Sequence, residues 1–172
     1  LEIKKNIIKE DKNTKINITE TTITTKQKKL TLTSRIIKEN FPDFNSVIPS
    51  DNTKIATIET KEFIGCLKRI SILSNRNSKQ IILHFTTDGV AVSAEDLETS
   101  TSGKEHFQCK YQGEEITTSY NAKYLSETVS HINSPKIKMY LNTALSAVII
   151  TPEEQKEKET LTTLLMPLRI NI

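Results

Sequence analysis

The sequence predicts an α+β fold assembled from a repeated β-α-β-β-β unit, and three observations lead there. Ile and Thr are abundant, and both are β-branched, which suits pleated, half-buried strands. Helical periodicity interrupts the strand pattern at 60–74 and again at 121–132, each time after one strand and before three more. With no Trp and only 5% aromatic residues, the core must be built from Ile, Leu and Val.

The elements follow in order. Ile3, Ile7 and Ile8 suit the last turns of an amphipathic helix, with Lys4, Lys5 and Lys9 on its wet side, and Asp11-Lys12-Asn13 ends it. Residues 14–19, 21–25 and 30–33 alternate with period two and read as strands, with a Lys-rich hairpin at 26–29. Pro42 and Pro49 mark an extended connector over 38–49. The first full unit opens with a strand over Lys54–Glu59. Thr60 then caps a helix to Ser74, with Phe63, Ile64, Leu67, Ile70 and Ser71 on one face. Gln80–Phe85 and Val90–Ala94 form a hairpin about Thr87-Asp88-Gly89, and His106–Tyr111 is the third strand. The second unit begins at Glu115–Tyr120. Asn121 caps a helix through Ile132, with Tyr124, Leu125, Thr128, Val129 and Ile132 on one side, and Asn133-Ser134-Pro135 stops it. Strands over Lys136–Leu141, Leu145–Ile150 and Thr160–Met166 complete the unit, with a charged loop tip over Pro152–Glu159. Two full units then pair into one domain with their helices together on one side. The leading half-unit belongs to a preceding domain whose first half is absent from this chain.

Several function classes lose support. No apolar run approaches the ~18–20 residues of a membrane span, and Leu1-Glu2-Ile3-Lys4-Lys5 lacks the apolar core of a signal peptide. The chain has no starting Met and reads as a fragment or a trimmed chain. Cys66 and Cys109 make no disulfide framework and read as reduced, buried thiols. Gly65, Gly89, Gly103 and Gly113 are scattered, so no phosphate loop is present. His84, His106 and His131 have no partner at metal-ligand spacing, and neither a metal nor a cofactor is expected. Asp43 reads as an Asx-type turn after Pro42, and Glu95, Asp96 and Glu98 as a solvated strand end. No catalytic residues are assigned.

Two surfaces remain. A net charge of +3 does not by itself argue for nucleic acid. Its distribution places Lys61, Lys68 and Arg69, with Glu62, on the side of the first helix opposite Leu67. Lys123, Ser126, Glu127 and Ser130 lie on the outer side of the second. Such a face suits loose, sequence-independent contact with phosphates; the alternative is an ordinary solvated helix face. The tail Leu164-Leu165-Met166-Pro167-Leu168-Arg169-Ile170 is either a last core strand or the apolar border of a groove for a partner peptide.

Four blocks, in this order, resemble the bacterial sliding clamp, the beta subunit of DNA polymerase III. They are Asn40-Phe41-Pro42-Asp43-Phe44 with Val47-Ile48-Pro49; Ile72-Leu73-Ser74-Asn75; Asn121 with Tyr124-Leu125; and Met166-Pro167-Leu168-Arg169-Ile170. The resemblance spans about the whole chain. It implies the DNA clamp fold, with sheets outside and helices lining the inner surface. Residues 1–45 would be the end of the middle domain plus connector, and 46–172 the third domain. It implies a cytoplasmic, non-catalytic processivity factor without cofactor: a head-to-tail homodimer ring around duplex DNA that tethers the replicative polymerase, the clamp loader and other partners. The implied peptide groove comprises Pro42, Val47, Asn121, Tyr124, Leu145, Leu164, Met166, Pro167, Leu168 and Arg169, with Asn121 and Tyr124 offering hydrogen bonds at its edge. A further groove-lining loop would precede Leu1. Lys61, Lys68, Arg69 and Lys123 are the implied DNA-facing residues. Ser46 stands where the family usually has a basic residue, and Asn171-Ile172 extend past its usual end. The competing readings are a non-DNA protein-interaction module of repeated α+β units and an enzyme with an unrecognised site.

Overall fold

A computed structural model of the chain describes residues 14–27, 30–40 and 43–170. The expected helix over 1–11, the tip of the Lys-rich hairpin, Phe41, Pro42 and the Asn171-Ile172 extension lie outside these. The chain divides into two compact units, Leu1–Asp43 and Phe44–Ile172.

The first unit is an antiparallel meander of β1 (Lys15–Ile18), β2 (Thr22–Gln27) and β3 (Leu30–Arg35). Alternation fixes its register: Ile18 sits opposite Ile23, and Thr25 opposite Leu32. Ile16, Ile18, Leu30 and Leu32 are exposed.

The second unit opens with a short 3-10 turn, Phe44–Val47, where an extended connector was expected. Four residues of 3-10 helix are too short to leave a periodic pattern in a sequence. The unit continues as β4 (Lys54–Glu59), α1 (Thr60–Ser71), β5 (Gln80–Thr86), β6 (Gly89–Asp96), β7 (Thr101–Phe107) and β8 (Lys110–Gln112). It closes with β9 (Ile116–Asn121), α2 (Ala122–Ser130), β10 (Lys136–Leu141), β11 (Val148–Pro152) and β12 (Thr163–Leu165). Both β-α-β-β-β repeats are present.

The repeats interlock. One sheet has the order β12-β11-β10-β4-β8, the other β7-β6-β5-β9. Each repeat therefore lends its first strand to the sheet of the other, through β4 on β10 and β9 on β5. The exchange is symmetric in register: Glu59 pairs with Lys136 as Asn121 pairs with Gln80. Helices α1 and α2 pack side by side. Beneath them Phe63, Leu67, Leu125 and Val129 join Phe85, Tyr120, Ile137 and Met139 in a continuous core. Phe63 meets Phe107 at 5.9 Å between ring centroids, and Phe85 meets Tyr111 at 5.5 Å.

Four expectations need correction. Thr60 is not the cap of α1. That position falls to Glu59, whose side chain makes no capping bond and pairs instead with Lys136 at 3.3 Å. Strand β4 runs into α1 without a spacer, and the Thr60 amide donates to Pro135 O at 2.8 Å. The single strand over His106–Tyr111 is two strands, because the chain leaves one sheet after Phe107 and joins the other at Lys110. The polar start of β7 hid it; Gly103 there leaves room for the Leu73 side chain, which a Cβ would push aside. Leu145 lies in the turn before β11, not in a strand. Tyr124, expected on the buried stripe of α2, is exposed, whereas Ala122 is buried.

Burial fixes the thiols. Cys66 is fully buried and its pKa is pushed up to about 12, by burial and then by neighbouring Glu105; burial holds Cys109 at about 11. Both are free and protonated at neutral pH. Two carboxylates are held below their usual range. Glu105 on β7 accepts two bonds from the Arg69 guanidinium of α1, one from Nε at 3.0 Å. Asp96 is lowered chiefly by Asn75 Nδ2, which donates to it at 3.1 Å. A carboxylate with a depressed folded pKa contributes stability above its unfolded pKa, and loses it as pH falls through the folded value. Urea stability should therefore decline as pH drops below about 4. The double variant Asp96→Asn, Glu105→Gln should be less stable at neutral pH and show a flatter acid limb; an acid limb parallel to that of the parent would contradict the assignment.

Candidate functional site

The site assembles on β9, the strand that crosses from its own repeat into the other sheet. Its inward Thr118 and outward Ser119 are both fully buried, unusual for hydroxyl residues, and both are bonded. Thr118 Oγ1 donates to Ala144 O at 3.1 Å, fixing the turn that carries Leu145. Ser119 holds the tail. Leu168 N donates to Ser119 O at 2.8 Å, and Ser119 Oγ donates to Leu168 O at 2.8 Å. Gln80 Nε2, on the adjacent strand, donates to Ser119 Oγ at 2.9 Å and to Arg169 O at 3.0 Å. Asn121 ends the strand and caps α2, its Oδ1 accepting from Lys123 N at 3.0 Å and Tyr124 N at 3.2 Å.

One six-residue strand thus fixes the backbone of three segments that carry expected groove residues: Leu145 in its turn, Tyr124 on α2, and the tail. Tyr124 (58% exposed), Leu145 (58%) and Met166 (61%) present their side chains to solvent. Leu164, Pro167 and Leu168 are half-buried, and Arg169 is exposed. Leu164 pairs with Ile149 across the β11–β12 ladder, while Leu165 packs against the core. Val47 is exposed on the 3-10 turn, and Pro42 lies outside the described residues. Asn121 also has a structural role: its oxygen accepts from two helix amides and one N–H of its Nδ2 donates to Ser78 O at 2.9 Å, so it positions the helix at the expected groove edge.

The helix face also resolves. Lys68 and Lys123 line an open cleft of about 640 Å³ between α1 and α2, joined by Lys79. Lys79 was not anticipated from the sequence. It sits at φ 49° after α1, where its amide donates to Asn75 O and its carbonyl accepts from Ala122 N, both at 2.8 Å, docking the end of one helix on the start of the other. Lys61 is exposed but outside this cleft. Arg69 turns toward β7 and is engaged by Glu105.

Two of the three histidines have structural partners. His84 bridges Thr117 Oγ1 at 2.7 Å and Glu115 at 3.0 Å, and His131 bonds Glu127 O at 2.7 Å at the end of α2. Among the described residues no group of three His, Cys, Asp or Glu is placed to share a metal ion.

Comparison with known proteins adds to this geometry. Residues 45–169 match the family described as DNA polymerase III beta subunit, C-terminal domain. The chain belongs to that family. The beta sliding clamp of Caulobacter vibrioides is 28% identical over 140 residues, 81% of this chain and 36% of that protein. The Bacillus subtilis clamp is 27% identical over 157 residues, 90% of this chain and 40% of that one. The chain thus spans well under half the length of these relatives. Among solved structures, a DNA polymerase sliding clamp from Pseudomonas aeruginosa superposes with a TM-score of 0.85 at 21% identity, covering 98% of this chain and 45% of its own. A clamp from Bartonella birtlesii, solved with griselimycin bound, gives 0.85 at 21% identity over 98% of this chain and 44% of its own. At these identities the likeness establishes the fold: the interlocked repeats are those of the clamp C-terminal domain.

The capping role of Asn121 is directly testable. Asn121→Ala should cost about 0.5–2 kcal/mol of stability, whereas Asn121→Asp, which keeps the accepting oxygen, should recover most of it. Chemical denaturation of both variants checks this; equal losses would show that the amide bond to Ser78, not the cap, is the important contact.

Proposed function

We propose that this chain is the C-terminal portion of a DNA sliding clamp, with 1–45 as the end of the middle domain plus connector and 46–172 as the third domain. The clamp is a processivity factor, not a catalyst: a cytoplasmic ring that encircles duplex DNA and tethers the polymerase and other partners. The carrying observation is a family-matched domain whose paired helices hold Lys68 and Lys123 along one cleft, with Lys79 added from the loop after α1. Three lysines, two on the helices and one on the loop after α1, suit weak phosphate contact without base readout. A closed ring needs no more, since topology prevents dissociation and weak contacts permit sliding.

Two further features support the reading. Strand β7 is a sheet edge with β6 as its single neighbour among the described residues; Leu97 (82% exposed) lies in the turn that leads into it, and Ile72 (81%) ends α1, which packs on β7. An open edge with apolar flanks suits the head-to-tail junction of a homodimer ring. The apolar tail beside Tyr124 suits a short partner peptide, with Leu164, Met166 and Leu168 as an adaptable floor. The proposed groove residues are those expected from the resemblance, with Ser119 behind them. The interaction-module reading shares this tail but has no use for the lysine cleft.

The test uses the full-length protein with a clamp loader and ATP, on closed circular duplex DNA and on the same DNA linearised. Retention on the circle and loss from the linear form is the expected outcome. Equal behaviour on both would replace the clamp with an ordinary binding protein.

A further inference from the structure

We infer that Ser119 and Gln80 are positioning residues for the peptide groove, forming a side-chain clasp that holds the tail in its binding-competent shape. The inference rests on the groove reading above and goes beyond its lining residues, since neither Ser119 nor Gln80 belongs to that set.

The internal repeat supplies the comparison that carries it. In the first repeat the segment after β7 becomes β8, which lies along β4 through three consecutive pairs, Thr57 with Lys110, Ala56 with Tyr111 and Ile55 with Gln112. The matching segment of the second repeat is the tail after β12, and the matching strand is β9. There the ladder shrinks to a single bridge, Ser119 with Leu168. Pro167 precedes that bridge and has no N–H to extend it.

Side chains take over where the ladder stops. The bridge is doubled by the Ser119 hydroxyl on Leu168 O, and Gln80 Nε2 joins that hydroxyl to Arg169 O. At the corresponding places in the first repeat, Lys136 stands for Gln80 and is paired with Glu59, while Thr57 stands for Ser119. Among the described residues neither Lys136 nor Thr57 makes a side-chain hydrogen bond to 110–112. The clasp is therefore confined to the repeat whose tail is apolar.

The consequence is geometric. Leu168 has both backbone groups tied to β9, so its side-chain direction is fixed relative to the α2 cap three residues along the chain from Thr118. Without the hydroxyl, Leu168 O and Gln80 Nε2 lose a partner in a half-buried place beside the fully buried Ser119, where leaving it unmet carries a cost. The tail then frays from Pro167 onward, and a peptide must order it on binding.

The test measures two quantities in the full-length protein: hydrogen exchange at the Leu168 amide, and affinity for a synthetic peptide bearing the clamp-binding motif of the polymerase. Ser119→Ala and Gln80→Met should each speed exchange at Leu168 and weaken the peptide about tenfold, with affinity for short duplex DNA in the absence of a loader unchanged. Ser119→Thr, which keeps the hydroxyl, should restore affinity. Gln80→Met occupies a half-buried position and serves if Ser119→Ala fails to fold. Native affinity in the Ser119→Ala and Gln80→Met proteins would overturn the clasp. The Met166→Ala, Leu168→Ala double variant reports separately on the groove: if it binds the peptide as the parent does, the groove assignment itself fails, and the clasp with it.

Discussion

Each repeat gives its first strand to the sheet of the other, and the rest of the domain depends on that exchange. Strand β4 is the fourth of five strands in a sheet otherwise supplied by the second repeat and by β8. Strand β9 closes the sheet made by β5, β6 and β7. Neither repeat can complete its own sheet, so the two must fold as one cooperative body. The exchange also determines where the helices go. Each helix follows directly on an exchanged strand, so α1 and α2 start from neighbouring sheets and pack against each other over one core. The lysine cleft between them is a by-product of that geometry.

The same exchange explains why β9 organises the candidate groove. A strand at the edge of a borrowed sheet has one side free for a further partner. The tail supplies it at Leu168, and the buried hydroxyls of Thr118 and Ser119 bind the two loops that arrive on either face. Burying hydroxyls is unfavourable unless every one is bonded, and here the bonding is what fixes the loops. The first repeat uses the matching edge differently, pairing β8 by backbone alone and surrounding it with charged side chains such as Glu59, Lys110 and Lys136. One domain thus carries two related sheet edges, one polar and one apolar.

Much of this was legible where the physics is local. Lys54–Glu59 and Lys136–Leu141 alternate with period two, and both strands occupy those residues. Asn121 announced its cap because its short amide side chain bonds nearby amides in the same turn. What failed was non-local or lacked a periodic mark. The polar opening of β7 reads as loop until β6 is beside it. Tyr124 and Leu145 look like core by residue type, yet both are exposed, because nothing in spacing alone tells an apolar floor from an apolar core. Ser119 and Gln80 carried no signal: the partner of Ser119 is 49 residues away and that of Gln80 is 89 away, and each was read as an ordinary strand residue. The Arg69–Glu105 pair, 36 residues apart, likewise had no mark in the sequence.

In the proposed function an apolar tail, fixed on β9 beside α2, docks partners, while the helix face meets DNA. Methyl spectra of the intact protein, recorded with the polymerase-motif peptide and then with short duplex DNA, test it most directly. The peptide should shift Leu145, Leu164, Met166 and Leu168 and leave Ile64, on the α1 side of the lysine cleft, untouched. The duplex should do the reverse. Peptide-induced shifts centred on Ile64, with the four tail and turn methyls unmoved, would contradict it.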